Sequence, residues 1–298
     1  MAESLRRAML FAPGNNPGVL QNAGIYGADS LIFDLEDAVS IYEKDAARLL
    51  VRNVLRSIRF PCEVGVRINH ISTPWGYDDL EAVLSAKPDF IRLPKCEDAE
   101  EMQRIDDIVT KAERRYGFPE GSIHLMAAIE SPRGLRNAYA IASSTPRMMA
   151  LAIGGEDFAT SLKTTKTKDG TELLVAKSMI VFAAREAGIS PIDSVFSDLN
   201  DEENFIKETE LAKQLGFDGK SCVHPRQIEL VHRVFTPTEK EVEQARRIIK
   251  AYREAMARKS GVVAVDGRMI DAPMITRANR ILAYAGITDT YQEGEHHD

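Results

Sequence analysis

The sequence predicts an α/β protein: a (β/α)8 TIM barrel followed by a C-terminal helical extension. Eight short runs rich in apolar and β-branched residues recur along the 298 residues, and stretches long enough for a helix separate them. This alternation is typical of parallel βα units, and eight such units close a barrel in a chain of about this length. An open, doubly wound sheet is the alternative architecture, although it would need fewer strands or a second domain.

The eight predicted strands are spread evenly over the first three quarters of the chain. In chain order they are RAMLFAP, DSLIFDLED, CEVGVRIN, DFIRLPK, IHLMAAIES, MMALAIGGED, IDSVFSD and GKSCVHP. A clear intervening helix is TELLVAKSMIVFAAREAGI, in which Leu173, Ala176, Ile180 and Ala183 follow one another at spacings of three and four. Gly188 provides its stop signal.

The last part of the chain lies beyond the eighth strand, so we assign residues 1–235 to the barrel and 236–298 to the extension. Thr236, Pro237 and Glu239 are predicted to open its first helix as a capping box. The apolar face of that helix is formed by Val242, Ala245, Ile248, Ile249 and Tyr252. The extension is expected to pack on the barrel or to reach a neighbouring subunit.

The composition excludes several classes of partner. The chain is 44% hydrophobic and 28% charged, with a net charge of -7, which argues against binding to nucleic acid or to an anionic membrane. The N-terminal segment MAESLRRAMLFAPG has too short an apolar run for a signal peptide or a transmembrane helix, so we expect a cytoplasmic protein.

Acidic side chains follow several of the predicted strands, and in a barrel these strand ends meet at one mouth. They include Glu36 and Asp37 after the second strand, Glu130 after the fifth and Asp157 after the sixth. Carboxylates gathered in a cleft must be protonated, paired with bases or bound to a cation, and carboxylates without cysteine or clustered histidine favour Mg²⁺. Glu130 and Asp157 are our candidate ligands; the alternative for each is a helix N-cap.

Arg67 ends the third predicted strand, where its guanidinium could bind a carboxylate or an oxyanion in bidentate fashion. The alternative is an internal ion pair with Glu36 or Asp37, and the two roles are compatible. Pro13 and Gly14 in APGNNP could bring backbone N–H groups to a ligand or simply form a turn. His224 could contact a ligand or be a structural histidine.

Motifs for common alternative chemistries are absent from the sequence. We find no G-x-x-x-x-G-K-[ST], no G-x-G-x-x-G that opens a helix after a strand, no G-x-S-x-G and no H-E-x-x-H. Nucleotide hydrolysis, dinucleotide redox chemistry and the commonest serine and zinc hydrolase reactions therefore have no motif support.

A family resemblance is carried by nine segments in register from about residue 6 to residue 285. They are RRAMLFAPGNNP, LIFDLEDAVSIYEKDAAR, IRLPK, AAIESPRGL, GGEDFA, DGTELLVAKSMIVFAAREAGI, FSDLNDEENF, LGFDGKSCVHPRQI and DGRMIDAP. Together they resemble the citrate lyase β subunits, within a family that also holds malyl-CoA and citramalyl-CoA lyases. The forms GGEDF and VHPRQI depart from the GAEDY and INPRQI often found in citrate lyase β subunits, which leaves the acyl group and its carrier open.

The resemblance implies a (β/α)8 barrel that uses Mg²⁺ to cleave a carbon–carbon bond in a 3-hydroxyacyl thioester. It implies that Glu130 and Asp157 hold the metal ion and that Arg67 binds substrate. Glu36 and Asp37 are expected to serve catalysis by orienting Arg67 and the water molecules on the metal ion. The residues implied to line the thioester and oxoacid pocket are Phe11, Pro13, Gly14, Val223 and His224.

The resemblance also implies a catalytic aspartate in the C-terminal segment, here Asp271, which related enzymes often supply from the adjacent subunit. We therefore expect a homo-oligomer, a trimer or a multiple of one. The expected reaction is cleavage of citryl-ACP or citryl-CoA to an acetyl thioester and oxaloacetate, with acyl-carrier and CoA-transferase-like subunits as possible partners. The alternatives are a free-standing malyl-CoA or citramalyl-CoA lyase and a non-catalytic assembly subunit.

Overall fold

The computed structural model describes residues 5–258, 264–265 and 268–287. Eight parallel strands form a closed barrel in which each strand pairs with the next and the eighth pairs with the first, so the predicted (β/α)8 barrel is confirmed. The strands are β1 (Ala8–Pro13), β2 (Ser30–Asp34), β3 (Glu63–Arg67), β4 (Phe90–Leu93), β5 (His124–Ile129), β6 (Met148–Ile153), β7 (Ser190–Asp193) and β8 (Gly219–Cys222).

Helices follow the strands, and some connections carry two. They are α1 (Pro17–Asn22), α2 (Lys44–Ser57), α3 (Gly76–Leu84), α4 (Ala99–Tyr116), α5 (Pro132–Arg136), α6 (Ala138–Ala142), α7 (Gly155–Ser161), α8 (Leu174–Glu186), α9 (Glu202–Leu215), α10 (Arg226–Phe235), α11 (Glu239–Ala257) and α12 (Ala272–Tyr284). Short 3-10 helices occupy Ala23–Tyr26 and Thr171–Leu173. Among the described residues, no helix is long and apolar enough to cross a membrane.

A cluster of buried side chains from six of the strands forms a barrel core, which includes Met9, Ile32, Phe90 and Met126. Phe90 fits only because β3 offers a glycine beside it: a Cβ on Gly65 would lie 2.2 Å from the Phe90 ring. The cluster therefore depends on a matched large and small residue in neighbouring strands.

Several element boundaries differ from the sequence prediction; β2, for example, ends at Asp34, whereas the predicted run continued to Asp37. Strand β7 ends at Asp193, whereas the predicted run continued to Asp198. The capping box of α11 is formed by Thr238 and Glu241, not by residues 236–239, because the Thr238 side chain accepts from the Glu241 N–H and Glu241 bonds back to the Thr238 N–H. Gly188, the second residue after α8, has a φ of +69°, as its predicted stop role requires.

The chain forms two compact units, Arg6–Arg233 and a second that contains α11 and α12. In the second unit α11 and α12 bury a shared apolar core that includes Ala245, Ile248, Ile249 and Leu282, with Val242 and Tyr252 packed against it. The predicted apolar face of α11 is thereby confirmed. A two-stranded hairpin pairs β9 (Ala264–Val265) with β10 (Arg268–Met269).

Candidate active site

A cavity of about 360 Å³ opens at the carboxyl ends of the barrel strands, where barrel enzymes hold their active sites. Its lining combines apolar residues with a concentration of charged ones. The residues are Phe11, Pro13, Asp34, Asp37, Ala38, Arg67, Arg92, Glu130, Ile153, Gly154, Gly155, Glu156, Asp157, Val195 and Val223. Most of the residues predicted from the strand ends therefore line one cavity.

Arg67, the last residue of β3, is fixed by carboxylates from the end of β2 and the loop beyond it. Its Nε and Nη2 each donate to Asp34 at 2.7 Å, while Nη1 lies 3.0 Å from Glu36 and 3.5 Å from Asp37. Burial opposes ionisation of Asp34, but the bonds from Arg67 and from two backbone N–H groups hold its pKa below the usual value. The Arg67 guanidinium is therefore oriented before any ligand arrives.

Asp34 is the main partner of Arg67, and the sequence reasoning missed it. It is the final residue of the apolar run LIFD, where it was counted as part of the strand rather than as part of the mouth. The predicted ion pairs of Arg67 with Glu36 and Asp37 are also present. The pairing register could have revealed Asp34, because Asp34 and Arg67 are direct neighbours across β2 and β3.

Glu130 follows β5 and is only 5% exposed. Burial is the largest influence on its carboxyl group and raises the pKa to about 8; Asp157 and Glu36 raise it too, whereas Arg92 and Arg67 oppose the rise. Its Oε2 atom is buried and has no hydrogen-bond partner in the part of the chain that the structure describes.

Gly154, at the end of β6, makes room for that carboxylate. A Cβ at this position would lie 2.5 Å from Glu130 Cγ and 2.7 Å from Oε1. Any larger residue would displace the Glu130 side chain. The first glycine of GGED thus has a packing role toward the acid of IES.

Asp157 lies in the first turn of α7, which begins directly after β6, and its side chain is 44% exposed. Lys95 Nζ lies 3.7 Å from Asp157 and 2.5 Å from Glu36 Oε1. Although burial lowers the pKa of Lys95, the bond to Glu36 and the neighbouring acids raise it above its ordinary value. A cation therefore bridges the acids on two sides of the mouth.

Glu130 and Asp157 suit a hard divalent cation. The buried Glu130 Oε2 lacks a partner, and Mg²⁺ commonly takes only one or two protein carboxylates and completes its shell with water and substrate oxygens. Among the described residues, no group of three or more His, Cys, Asp or Glu side chains is arranged to hold a metal ion. The donor set therefore fits a shared Mg²⁺ site rather than an all-protein cage.

Arg92, within β4, is a second cavity residue that the sequence reasoning missed. It is 3% exposed, and its Nε is buried without a hydrogen-bond partner among the described residues. Its Nη1 forms a long, 3.5 Å hydrogen bond to Ser221 Oγ. Burial, followed by repulsion from Arg67, lowers its pKa to about 10, so it stays cationic at neutral pH. A lone arginine in the apolar run FIRL was its signal.

Phe11 lies between the two arginines. Its ring centre is 4.9 Å from Arg67 Cζ and 5.0 Å from Arg92 Cζ, within the range of cation–π contact. Pro13 and Val223 also line the cavity, as the resemblance implied for this pocket.

Three other predicted site residues occupy different positions. Gly14 packs against β2, where a Cβ would lie 2.5 Å from the Asp34 carbonyl oxygen. His224 lines a smaller, separate cavity, and its Nδ1 accepts from the Arg226 N–H. Asp271 belongs to the second compact unit, where its exposed side chain caps α12 by accepting from the Met274 N–H.

The sequence matches the HpcH/HpaI aldolase/citrate lyase family over residues 7–225, and the chain belongs to this family. It is 49% identical to citrate lyase subunit beta of Leuconostoc mesenteroides subsp. cremoris over 284 residues, which cover 95% of this chain and 94% of the relative. The family resemblance and the lyase class predicted from the sequence are thus confirmed.

Two further similarities bear on the chemistry. The chain is 34% identical over 280 residues, 94% of each protein, to a (3S)-malyl-CoA thioesterase of Cereibacter sphaeroides. The crystal structure of CitE from Mycobacterium tuberculosis in complex with magnesium, acetoacetate and coenzyme A is similar with a TM-score of 0.78 at 30% identity. That match covers 95% of this chain and 99% of the other.

Proposed function

We propose that this chain is a Mg²⁺-dependent lyase that cleaves a citryl thioester, carried by a protein or by coenzyme A, to an acetyl thioester and oxaloacetate. The observation that carries the proposal is the buried carboxylate of Glu130, whose Oε2 has no hydrogen-bond partner among the described residues and which shares one cavity with Asp157 and two arginines. The similarity to citrate lyase subunit beta supports the citryl group, and the magnesium and coenzyme A of the mycobacterial structure support the metal and the thioester.

Glu130 and Asp157 are the proposed Mg²⁺ ligands. Bound Mg²⁺ would supply a Lewis acid for the hydroxyl and carboxylate oxygens of the oxaloacetate half. Arg67 would bind a substrate oxygen with its preset guanidinium, and Asp34, Glu36 and Asp37 would hold that arginine in place. The apolar part of the lining would exclude water from the carbanion-like half.

The reaction needs a base and then an acid, and Asp271 is the proposed residue for both. Removal of the proton from the 3-hydroxyl group converts that carbon to the carbonyl of oxaloacetate as the C2–C3 bond breaks. The bonding electron pair leaves with the acetyl thioester as its enolate, which then takes a proton at carbon. On the basis of the family resemblance, we propose that Asp271 acts in a homo-oligomer, from the same or a neighbouring subunit.

The proposed assembly follows from the same chemistry. A citryl group must be loaded onto its carrier before cleavage, so an acyl carrier and a transferase-type subunit are the proposed partners. The word subunit in the relative's name supports such a complex. A malyl or citramalyl thioester is the second candidate substrate, which the similarity to a malyl-CoA thioesterase favours.

The test is a panel of citryl-CoA, citramalyl-CoA and malyl-CoA with wild-type protein, Glu130→Gln and the surface control Glu120→Gln. We expect Mg²⁺-dependent release of oxaloacetate from citryl-CoA, and a loss of about 10³-fold in E130Q, equivalent to about 4 kcal/mol. Glu120 is an exposed acid paired with Arg114, so E120Q should match the wild type. Calorimetric titration with Mg²⁺ should show weakened binding in E130Q alone.

Two results would contradict the proposal. Faster cleavage of a malyl or citramalyl thioester than of citryl-CoA would move the protein to the second candidate substrate. Full activity of E130Q, with unchanged Mg²⁺ binding, would remove Glu130 from the metal site.

A further inference from the structure

We propose that Arg92 selects the citryl thioester by binding the carboxylate of its third arm, the carboxymethyl group that malyl and citramalyl thioesters lack. The inference rests on the proposed function and names the residue that would set its substrate. Nothing in the sequence pattern or in the proposed roles of Glu130, Asp157 and Arg67 accounts for a second buried arginine at the mouth.

The first step concerns charge. Arg92 is 3% exposed yet forms no ion pair within the described part of the chain, and its Nε has no hydrogen-bond partner. A buried guanidinium left in this state is costly unless a ligand supplies the missing anion. Its remaining contacts are a 3.5 Å hydrogen bond to Ser221 and the Phe11 ring, both uncharged.

The second step separates the two arginines. The Arg67 guanidinium faces three carboxylates, from Asp34, Glu36 and Asp37. Arg92 forms no direct ion pair with a described residue, although Glu130 is near enough to raise its pKa and Phe11 lies about equally far from both arginines. An incoming carboxylate would therefore gain more from Arg92, whose guanidinium is not already bonded to a carboxylate.

The third step concerns position. Arg92 lines the same cavity as Glu130 and Asp157. Of the nearby cations, it lowers the pKa of Glu130 the most. The group on C3 of the substrate is a carboxymethyl arm in citryl, a methyl in citramalyl and a hydrogen in malyl thioesters. If the metal site holds the substrate through its hydroxyl and adjacent carboxylate, the carboxymethyl arm remains unbound. Arg92 would bind the carboxylate of this arm.

The experiment compares wild type, Arg92→Met, Arg92→Lys and the control Ser221→Ala at saturating Mg²⁺. Saturation matters because loss of a positive charge beside Glu130 also alters metal binding. Each protein is assayed with citryl-CoA and citramalyl-CoA, and binding of oxaloacetate and pyruvate is measured by calorimetry. Oxaloacetate carries the extra carboxylate and pyruvate does not, so the two ligands isolate the arm.

We expect R92M to reduce kcat/KM for citryl-CoA and affinity for oxaloacetate by about 10- to 100-fold, the range of a charged hydrogen bond. The same variant should leave pyruvate binding and citramalyl-CoA cleavage within about threefold of wild type, since neither ligand reaches the guanidinium with a carboxylate arm. R92K should fall between wild type and R92M in these measurements. S221A should keep the wild-type ratio of kcat/KM for citryl-CoA to that for citramalyl-CoA. Circular dichroism confirms folding, and R92K replaces R92M if the latter does not fold.

Two failures are distinguishable. If wild type does not cleave citryl-CoA but cleaves another thioester, the proposed function fails. The inference is overturned if wild type cleaves citryl-CoA, yet the Arg92 variants lower kcat/KM for both thioesters and affinity for both oxoacids by the same factor. Arg92 would then have a structural role.

Discussion

The two ends of the barrel each bury an arginine, and the two arginines are satisfied to opposite degrees. Arg147 directly precedes β6, at the amino-terminal end, and is 6% exposed. Its five N–H groups meet five acceptors at 2.5 to 3.0 Å, on Asp106, Glu113, Thr110 and the Ile123 carbonyl. Arg92, toward the carboxyl end, is equally buried but has only a long contact to Ser221.

The difference shows how the fold separates stability from chemistry. At the amino-terminal end, oppositely charged side chains pair with one another. Asp29, just before β2, likewise accepts hydrogen bonds from Arg7 and from the Ala8 N–H. At the carboxyl end, Glu130 and Arg92 each line the cavity and each keep a buried atom without a hydrogen-bond partner among the described residues. Barrel enzymes concentrate function at the carboxyl ends of the strands. In this protein the separation between stability and chemistry is seen in the buried polar groups that lack a partner at that end.

The largest expected effect comes from breaking the ion pairs of Arg147 at the amino-terminal end of the barrel. Replacement of Arg147 by Met leaves Glu113, which is fully buried, without its cation, and should lower the free energy of unfolding by about 3–5 kcal/mol. Urea unfolding, followed by the fluorescence of the single tryptophan, Trp75, reports on the barrel. The matched control is Arg114→Met, since Arg114 is exposed and pairs with exposed Glu120.

That prediction is contradicted if R147M and R114M are equally stable. The activity of folded R147M should remain near wild type, because Arg147 does not line the cavity. A large loss of kcat at unchanged stability would mean that the two ends are not separated in function.

An intermediate effect is expected at Asp29, and it depends on pH. Burial raises its pKa, but bonds from His232, Arg7 and the Ala8 N–H outweigh burial and lower it from 3.8 to about 2. The folded state thus binds the proton less tightly than the unfolded state. The stabilisation is present above pH 3.8 and disappears as the pH falls toward 2; from this difference it amounts to about 2 kcal/mol.

The test is Asp29→Asn, measured by the same urea unfolding at pH 7 and at successively lower pH. The gap between wild type and D29N should be widest at neutral pH and should narrow below pH 4. Asp107→Asn, at an exposed position of α4, serves as the control and should follow wild type throughout. A gap that stays constant down to pH 3 would show that the Asp29 charge contributes nothing.

Much of the fold could be predicted because the strand pattern is local. Runs such as LMAAI and MMALAI show their burial in their own composition, and the positions of Glu130 and Asp157 follow directly from where those runs end. Residues at the mouth of the barrel whose positions follow from the end of a strand, such as Glu130 and Asp157, could therefore be predicted.

The missed residues depend on relations between strands. Asp34 looks like part of an apolar run until the pairing of β2 with β3 places it beside Arg67. Arg92 interrupts FIRL, and whether such an arginine is paired depends on side chains distant in sequence, such as Ser221.

The smallest effect is expected for the stability of Arg92→Met. Since Arg92 forms no direct ion pair within the described residues, its removal breaks no salt bridge to a buried acid, and the free energy of unfolding should change by about 1 kcal/mol or less. The same Trp75 measurement applies, with R147M as the contrasting variant. If R92M lost as much stability as R147M, the guanidinium would be a structural partner at the mouth, and the difference between the two barrel ends would not hold. A small change in stability together with lost discrimination between oxaloacetate and pyruvate would show that the unpaired charge is retained for a ligand.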